Sequence, residues 1–176
     1  GSRPMPNRQM LLQSLAAAAA AAPLLAAAHA LAADQLGKFQ SWTLFMHKAD
    51  KTTTCFIASQ PTEMLPKGAN RDAAYFYISA WPKEGVKTEV SVKLGYPVKK
   101  GAPISVKIGN DPFKLFADAE RGFVADPTEE LKLIEAMKKG TTMQVQATSQ
   151  RGTDTTDTYS LAGLKQALQG LAEKCQ

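Results

Sequence analysis

Three close pairs of carboxylates, one histidine and two cysteines are the residues of this chain that could do chemistry. The pairs are Asp118 with Glu120, Glu129 with Glu130, and Asp154 with Asp157. Two carboxylates at a set separation serve a glycosidase as acid and base or nucleophile. Asp154 and Asp157 could instead help hold a calcium ion. His47 is the only histidine beyond residue 33, so a Ser-His-Asp set would need it as the base. None of these residues sits in a recognisable catalytic motif. No serine or cysteine has a nucleophile signature around it, and Gly101, Gly109 and Gly122 form no phosphate-binding pattern. Glu129 and Glu130 suit the first turn of a helix, where the dipole favours acids. Thr153 to Thr158, Thr-Asp-Thr-Thr-Asp-Thr, reads first as an exposed hairpin arm. Two cysteines and one histidine make no metal centre. The sequence thus assigns no catalytic residue, no metal ligand, no cofactor and no particular binding residue.

The compartment is easier to read than the reaction. Residues 5–33 have a positive start at Arg8, an alanine-rich apolar run from Met10, and small residues at Ala28, Ala30, Ala32 and Ala33. This is the layout of a bacterial secretory signal peptide with A-x-A cleavage sites. Leu11 to Ala33 is long enough to span a bilayer. However, alanine is weakly apolar, and Gln13, Ser14, Pro23 and His29 interrupt the run, so the expectation is cleavage rather than anchoring. Gly1 to Pro4 precede an initiator, Met5, and read as a cloning remnant.

Removing the leader leaves 143 residues, 34–176, the size of one domain. Their charge is mild, with 19 basic and 16 acidic side chains. The only basic doublets, Lys99-Lys100 and Lys138-Lys139, lack aromatics placed for base stacking, which argues against nucleic acid. An even cysteine count in an exported chain favours a disulfide between Cys55 and Cys175. Periodicity agrees: Cys55 shares a strand face with Ile57, and Cys175 falls at helical spacing after Leu161, Leu164, Leu168 and Leu171. Two buried, unpaired cysteines are the alternative.

The elements that must position these residues are mostly strands. Short runs at Trp42–His47, Thr52–Ser59, Tyr75–Trp81 and Val86–Leu94 are apolar, β-branched or alternating. Others follow at Ile104–Ile108, Phe113–Ala117, Gly122–Ala125, Thr142–Thr148 and Thr153–Tyr159, the last two forming a hairpin about Arg151-Gly152. Tyr75, Phe76, Tyr77 and Trp81 alternate across one strand, placing some rings in the core and others as a candidate ligand platform. Asp126 predicts the N-cap of a helix that starts at Pro127 and stops at Gly140. Ser160 predicts the cap of a second, C-terminal helix. Pro61–Asp72 reads as a loop. The expected fold is mainly β: an antiparallel, immunoglobulin-like β-sandwich with two added helices, the second C-terminal.

The order of short motifs resembles the invasion-associated locus B family of exported bacterial proteins. The carriers are Cys55-Phe56-Ile57-Ala58-Ser59-Gln60-Pro61, Asn70-Arg71, Glu89-Val90-Ser91-Val92 through Gly95-Tyr96-Pro97, Ala136 to Gly140, and Arg151 to Gly163, with Cys175 after them. The resemblance implies a periplasmic or envelope-associated β-sandwich of a Gram-negative bacterium, with no catalytic residues to transfer. The leading expectation is a non-enzymatic envelope protein that contacts a protein or glycan partner, in host-cell invasion or envelope maintenance. It has no membrane span after cleavage; outer-membrane association and secretion stay open. A small-ligand or glycan-binding module using the Tyr75–Trp81 aromatics comes second, and a hydrolase using His47 or a carboxylate pair third.

Overall fold

A computed structural model describes residues 33–175. The expected leader, except Ala33, lies outside the described residues, as do Gly1–Pro4 and Gln176. Eleven antiparallel strands form the domain. One layer holds β1 (Asp34–Phe39), β2 (Trp42–Ala49), β3 (Thr52–Ser59), β5 (Tyr75–Trp81), β6 (Val86–Lys93) and β9 (Arg121–Phe123). The other holds β4 (Glu63–Leu65), β7 (Ile104–Ile108), β10 (Thr142–Thr148) and β11 (Asp154–Ser160). Strand β8 (Asp111–Asp118) belongs to both. Its first part, to Leu115, pairs with β7, and Phe116 to Asp118 pair with β9. The two layers are therefore one continuous sheet, bent at β8.

Alternation puts one side of each strand inside. Trp42, Leu44, Ile57, Phe76, Ile78 and Val92 of the first layer are buried, and Ile104, Val106, Met143 and Val145 of the second join the same core. Burying each such side chain contributes roughly 1.5–3 kcal/mol. Between α1 (Pro127–Lys139) and α2 (Leu164–Lys174) the helices add Leu133, Ile134, Met137, Leu164, Ala167 and Leu171 to it.

Helix α1 keeps its expected bounds because each end has a chemical stop. The Asp126 carboxylate accepts from the Thr128 amide at 2.7 Å, Pro127 occupies the first turn, and the helix ends before Gly140. Glu130 reaches the opposite side and accepts from the Val90 amide at 3.0 Å, tying the helix to β6. Partial burial there raises the Glu130 carboxyl above its ordinary range.

Helix α2 starts later than the sequence predicts. Ser160 is the last residue of β11, and its hydroxyl accepts from the Ala162 amide as a local turn. The cap is Gly163, at φ 87°. A Cβ there would overlap the Phe39 carbonyl, so the close approach of the β1–β2 turn dictates glycine. Two other bonds fasten the same junction: Ser41 N–H to the Ala162 carbonyl, and the Trp42 indole N–H to the Ser160 carbonyl, both 3.1 Å. Strands β1 and β4 carry no alternation and were not expected. Strand β4 lies inside the anticipated Pro61–Asp72 loop, held by pairing of Glu63, Met64 and Leu65 with β11.

Cys55 of β3 and Cys175 after α2 are bonded, with their Cα atoms 6.2 Å apart across 120 residues. The bridge holds α2 on the inner face of β1, β2 and β3. Reducing it should lower unfolding stability by about 3–5 kcal/mol, the scale for closing so long a loop. Urea titrations with and without dithiothreitol, checked by the two-dalton mass gain of a dithiol, measure this. Superimposable titrations would show that the bridge adds nothing.

Candidate functional site

The register of the β10–β11 hairpin places a charge in the core. Ala147, Val145 and Met143 face inward, and their cross-strand partners are Thr155, Asp157 and Tyr159. All three partners are buried, and Asp157 has no exposed surface. The stretch expected as an exposed hairpin arm is thus exposed on one face only. Asp154 is outside and Asp157 inside, because residues three apart in a strand point to opposite faces. They cannot share a calcium ion.

A buried carboxylate must be paired and hydrogen-bonded. Arg71, from the coil before β5, supplies the partner. Its Nη1 donates to Asp157 Oδ1 at 2.8 Å and its Nη2 to Oδ2 at 2.7 Å, a two-pronged ion pair with side chains 5% and 0% exposed. Arg71 Nε donates to the Leu94 carbonyl at 3.1 Å, and Nη2 donates to that oxygen as well. The guanidinium lies 4.8 Å from the Tyr96 ring centre. Tyr96 in turn shares a 2.5 Å hydrogen bond with the Thr155 hydroxyl. Burial raises the Tyr96 hydroxyl above its ordinary range, while the Thr155 bond and the Arg71 charge pull it back. Tyr159 is pushed up more strongly, by burial and then by the Asp157 charge. Among the described residues its hydroxyl has no hydrogen-bond partner.

This knot draws three loops together. Gly95 takes φ 79°, and a Cβ there would overlap the Asp72 carbonyl, while the Asp72 amide donates to the Gly95 carbonyl at 2.9 Å. The Gln150 amide donates to the Pro97 carbonyl at 2.8 Å. Between the loops opens a cleft of about 600 Å³, with Lys67, Asn70, Arg71, Tyr96, Gln150 and Arg151 among its walls. A neighbouring hollow beyond the β10–β11 turn carries Lys99 and Lys100.

The other candidate residues lie apart. His47 stands opposite Thr54, on the half-exposed outer side of β2. Glu120 pairs with Lys93 at 3.7 Å, Asp118 stands opposite Arg121, and Glu129 pairs with Lys132 at 2.9 Å in the first turn of α1. Among the described residues no three His, Cys, Asp or Glu side chains gather as a metal site would require. The aromatic strand divides as alternation dictates. Phe76 is core, edge-on to Trp42 and Tyr159. Tyr75 and Tyr77 lie half-buried on the outer face, stacked on one another at 5.7 Å, and their row continues through Phe56 to Phe45. Arg121 covers the Tyr77 ring at 5.6 Å. Sequence reasoning names Asp157 only as half of a carboxylate pair and Arg71 only within a family motif, and misses that the two pair with each other. The available signal was parity: Asp157 aligns with Val145 once the hairpin turn is fixed.

Together the bent antiparallel sheet, its two helices and its internal ion pair define a mainly antiparallel β protein with an open polar cleft. The sequence profile described as invasion associated locus B (IalB) protein matches residues 42–172. The chain belongs to that family. A solved structure, the invasion associated protein b of Bartonella henselae, superposes with a TM-score of 0.55 at 15% identity, over 78% of this chain and 96% of that one. At that identity the likeness is one of fold. No curated protein matches the sequence.

Replacing Asp157 by alanine should cost about 3–5 kcal/mol, since it leaves the Arg71 charge buried and unpaired. Asp154→Ala should change stability by less than about 1 kcal/mol. Tyr159→Phe should be neutral or stabilising, because it removes a hydroxyl that bonds nothing. Urea unfolding of the three variants tests the set; equal losses for the two aspartates would refute the internal pair.

Proposed function

We propose that this chain is an exported protein of the Gram-negative envelope that works by non-covalent contact with a protein or glycan partner, without catalysis. The observation that carries this reading is the cleft. Its walls are Asn70-Arg71, Gly95-Tyr96-Pro97 and the start of the Arg151 segment, stretches through which the sequence resembles its family. An internal ion pair stiffens them, so the cleft is largely pre-formed, as binding sites are. The disulfide fits an oxidising compartment outside the cytoplasm. Among the described residues no helix is long and apolar enough to cross a membrane. We place the protein in the periplasm, free or associated with the outer membrane, with host-cell invasion or envelope maintenance as its process.

A second reading uses the outer aromatic row of Tyr75 and Tyr77 as the contact surface. Tyr and Phe are enriched at interfaces, and these rings are half exposed. Photo-crosslinking separates the two. A benzoylphenylalanine at Gln150 should capture an envelope component that the same probe at Tyr75 does not. Capture from Tyr75 alone would move the contact to the aromatic row, and capture from neither would count against a binding role.

A further inference from the structure

We infer that the cleft takes an acidic saccharide, a sugar chain bearing carboxylate or phosphate groups. This rests on the binding role proposed above and narrows it to one ligand class.

Three independent features of the cleft point there. Its charge is the first. Lys67 and Arg151 stand in its walls, and neither takes part in an ion pair among the described residues. Arg71 is already neutralised by Asp157, and Asp72 is the carboxylate lining the cleft. Lys99 and Lys100 extend the positive surface around the β10–β11 turn, against Asp154, whose carboxylate accepts from the Thr148 hydroxyl at 2.7 Å. Lys67 and Arg151 against Asp72 leave the lining net positive, and such a charge attracts anions over about 10 Å at about 0.1 M salt and further at lower salt.

The second feature is hydrogen-bonding capacity. Asn70 and Gln150 line the cleft, and among the described residues their side-chain amides make no hydrogen bond. An amide offers both a donor and an acceptor, the pattern that adjacent sugar hydroxyls match. Thr153 lies in the same walls, whereas the Thr155 hydroxyl is already engaged by Tyr96 and the Ala147 carbonyl.

The third is what the walls lack. Among the described residues no leucine, isoleucine, valine, phenylalanine or methionine lines the cleft; its aliphatic members are small, such as Ala69, Pro66 and Pro97. A peptide anchor or an acyl chain would find no apolar hole to fill. A bare phosphate ion would leave most of about 600 Å³ empty. The Tyr96 face is taken by Arg71, so sugar recognition here proceeds by polar contacts and charge rather than by ring stacking.

The test is amide NMR titration of the disulfide-bonded residues 34–176 with four probes: trigalacturonate, a phosphorylated oligomannose, neutral maltotriose and inorganic phosphate. At least one acidic saccharide should shift Asn70, Gln150 and Arg151. Its affinity should exceed that of maltotriose and of phosphate by about tenfold or more, and fall about tenfold between low and high salt. Lys67→Ala combined with Arg151→Ala should weaken it about tenfold while leaving the thermal midpoint unchanged. Asn70→Ala should weaken it at unchanged salt dependence. No shift with either acidic probe, or equal binding of maltotriose or phosphate, would overturn the inference. If the Gln150 crosslinker still captures a partner in that case, the binding role survives and only the ligand class falls.

Discussion

A guanidinium and a carboxylate inside a protein must satisfy each other completely, and the Arg71–Asp157 pair imposes that demand on everything around it. Asp157 is fixed by the hairpin register, so Arg71 has to come to it. The coil before β5 must therefore cross the end of the sandwich. The spare donors of Arg71 need an acceptor, which the Leu94 carbonyl provides, and that sets where β6 stops. Tyr96 then covers the guanidinium, and Gly95 adopts the backbone conformation that lets the two segments touch. Replacing such a pair by apolar residues is often neutral for stability, whereas breaking it is costly. Its value here is positional: it joins three loops that otherwise meet through a few backbone bonds and one isolated bridge, Val98 with Ser149, and the cleft is the outer surface of that arrangement.

The contact between the first strands and the last helix is organised by packing. The β1–β2 turn, the start of α2 and the Cys55–Cys175 bridge hold the first strands against the last helix. Residues far apart in sequence close the core, so the contacts are strongly non-local, a pattern that slows folding. The two regions thus divide the work, one by polar satisfaction and one by apolar burial and a covalent link.

Much of this was legible in the sequence where one residue's chemistry decides the outcome. Asp126, Pro127 and Gly140 bound α1 by capping, and Val86 to Lys93 or Ile104 to Ile108 declare strands by alternation. The bridge followed from cysteine count and periodicity. What escaped depends on distant partners. Strand β4 exists because β11 offers it an edge, and Gly163 caps α2 because Phe39 approaches there. Ser160 is a good cap by type, yet β10 holds it in the sheet through Thr142. The Thr-Asp repeat looks solvated until the hairpin register shows which half turns inward. The motifs that resemble the family include the cleft segments, but what joins them, a salt bridge between residues 86 positions apart, is written in no local pattern.

The continuity of the sheet through β8 has a further consequence. A sandwich of two separate sheets exposes four edge strands; this one, being a single bent sheet, has two among the described residues, β1 and β4. Free edges are where chains add to one another and aggregate. Both are poor templates. Strand β1 loses register between Gln35 and Gly37, and β4 has only three residues before Pro66. A protein rich in β structure is thereby protected against edge-to-edge polymerisation, while its cleft and its outer face stay open to solvent.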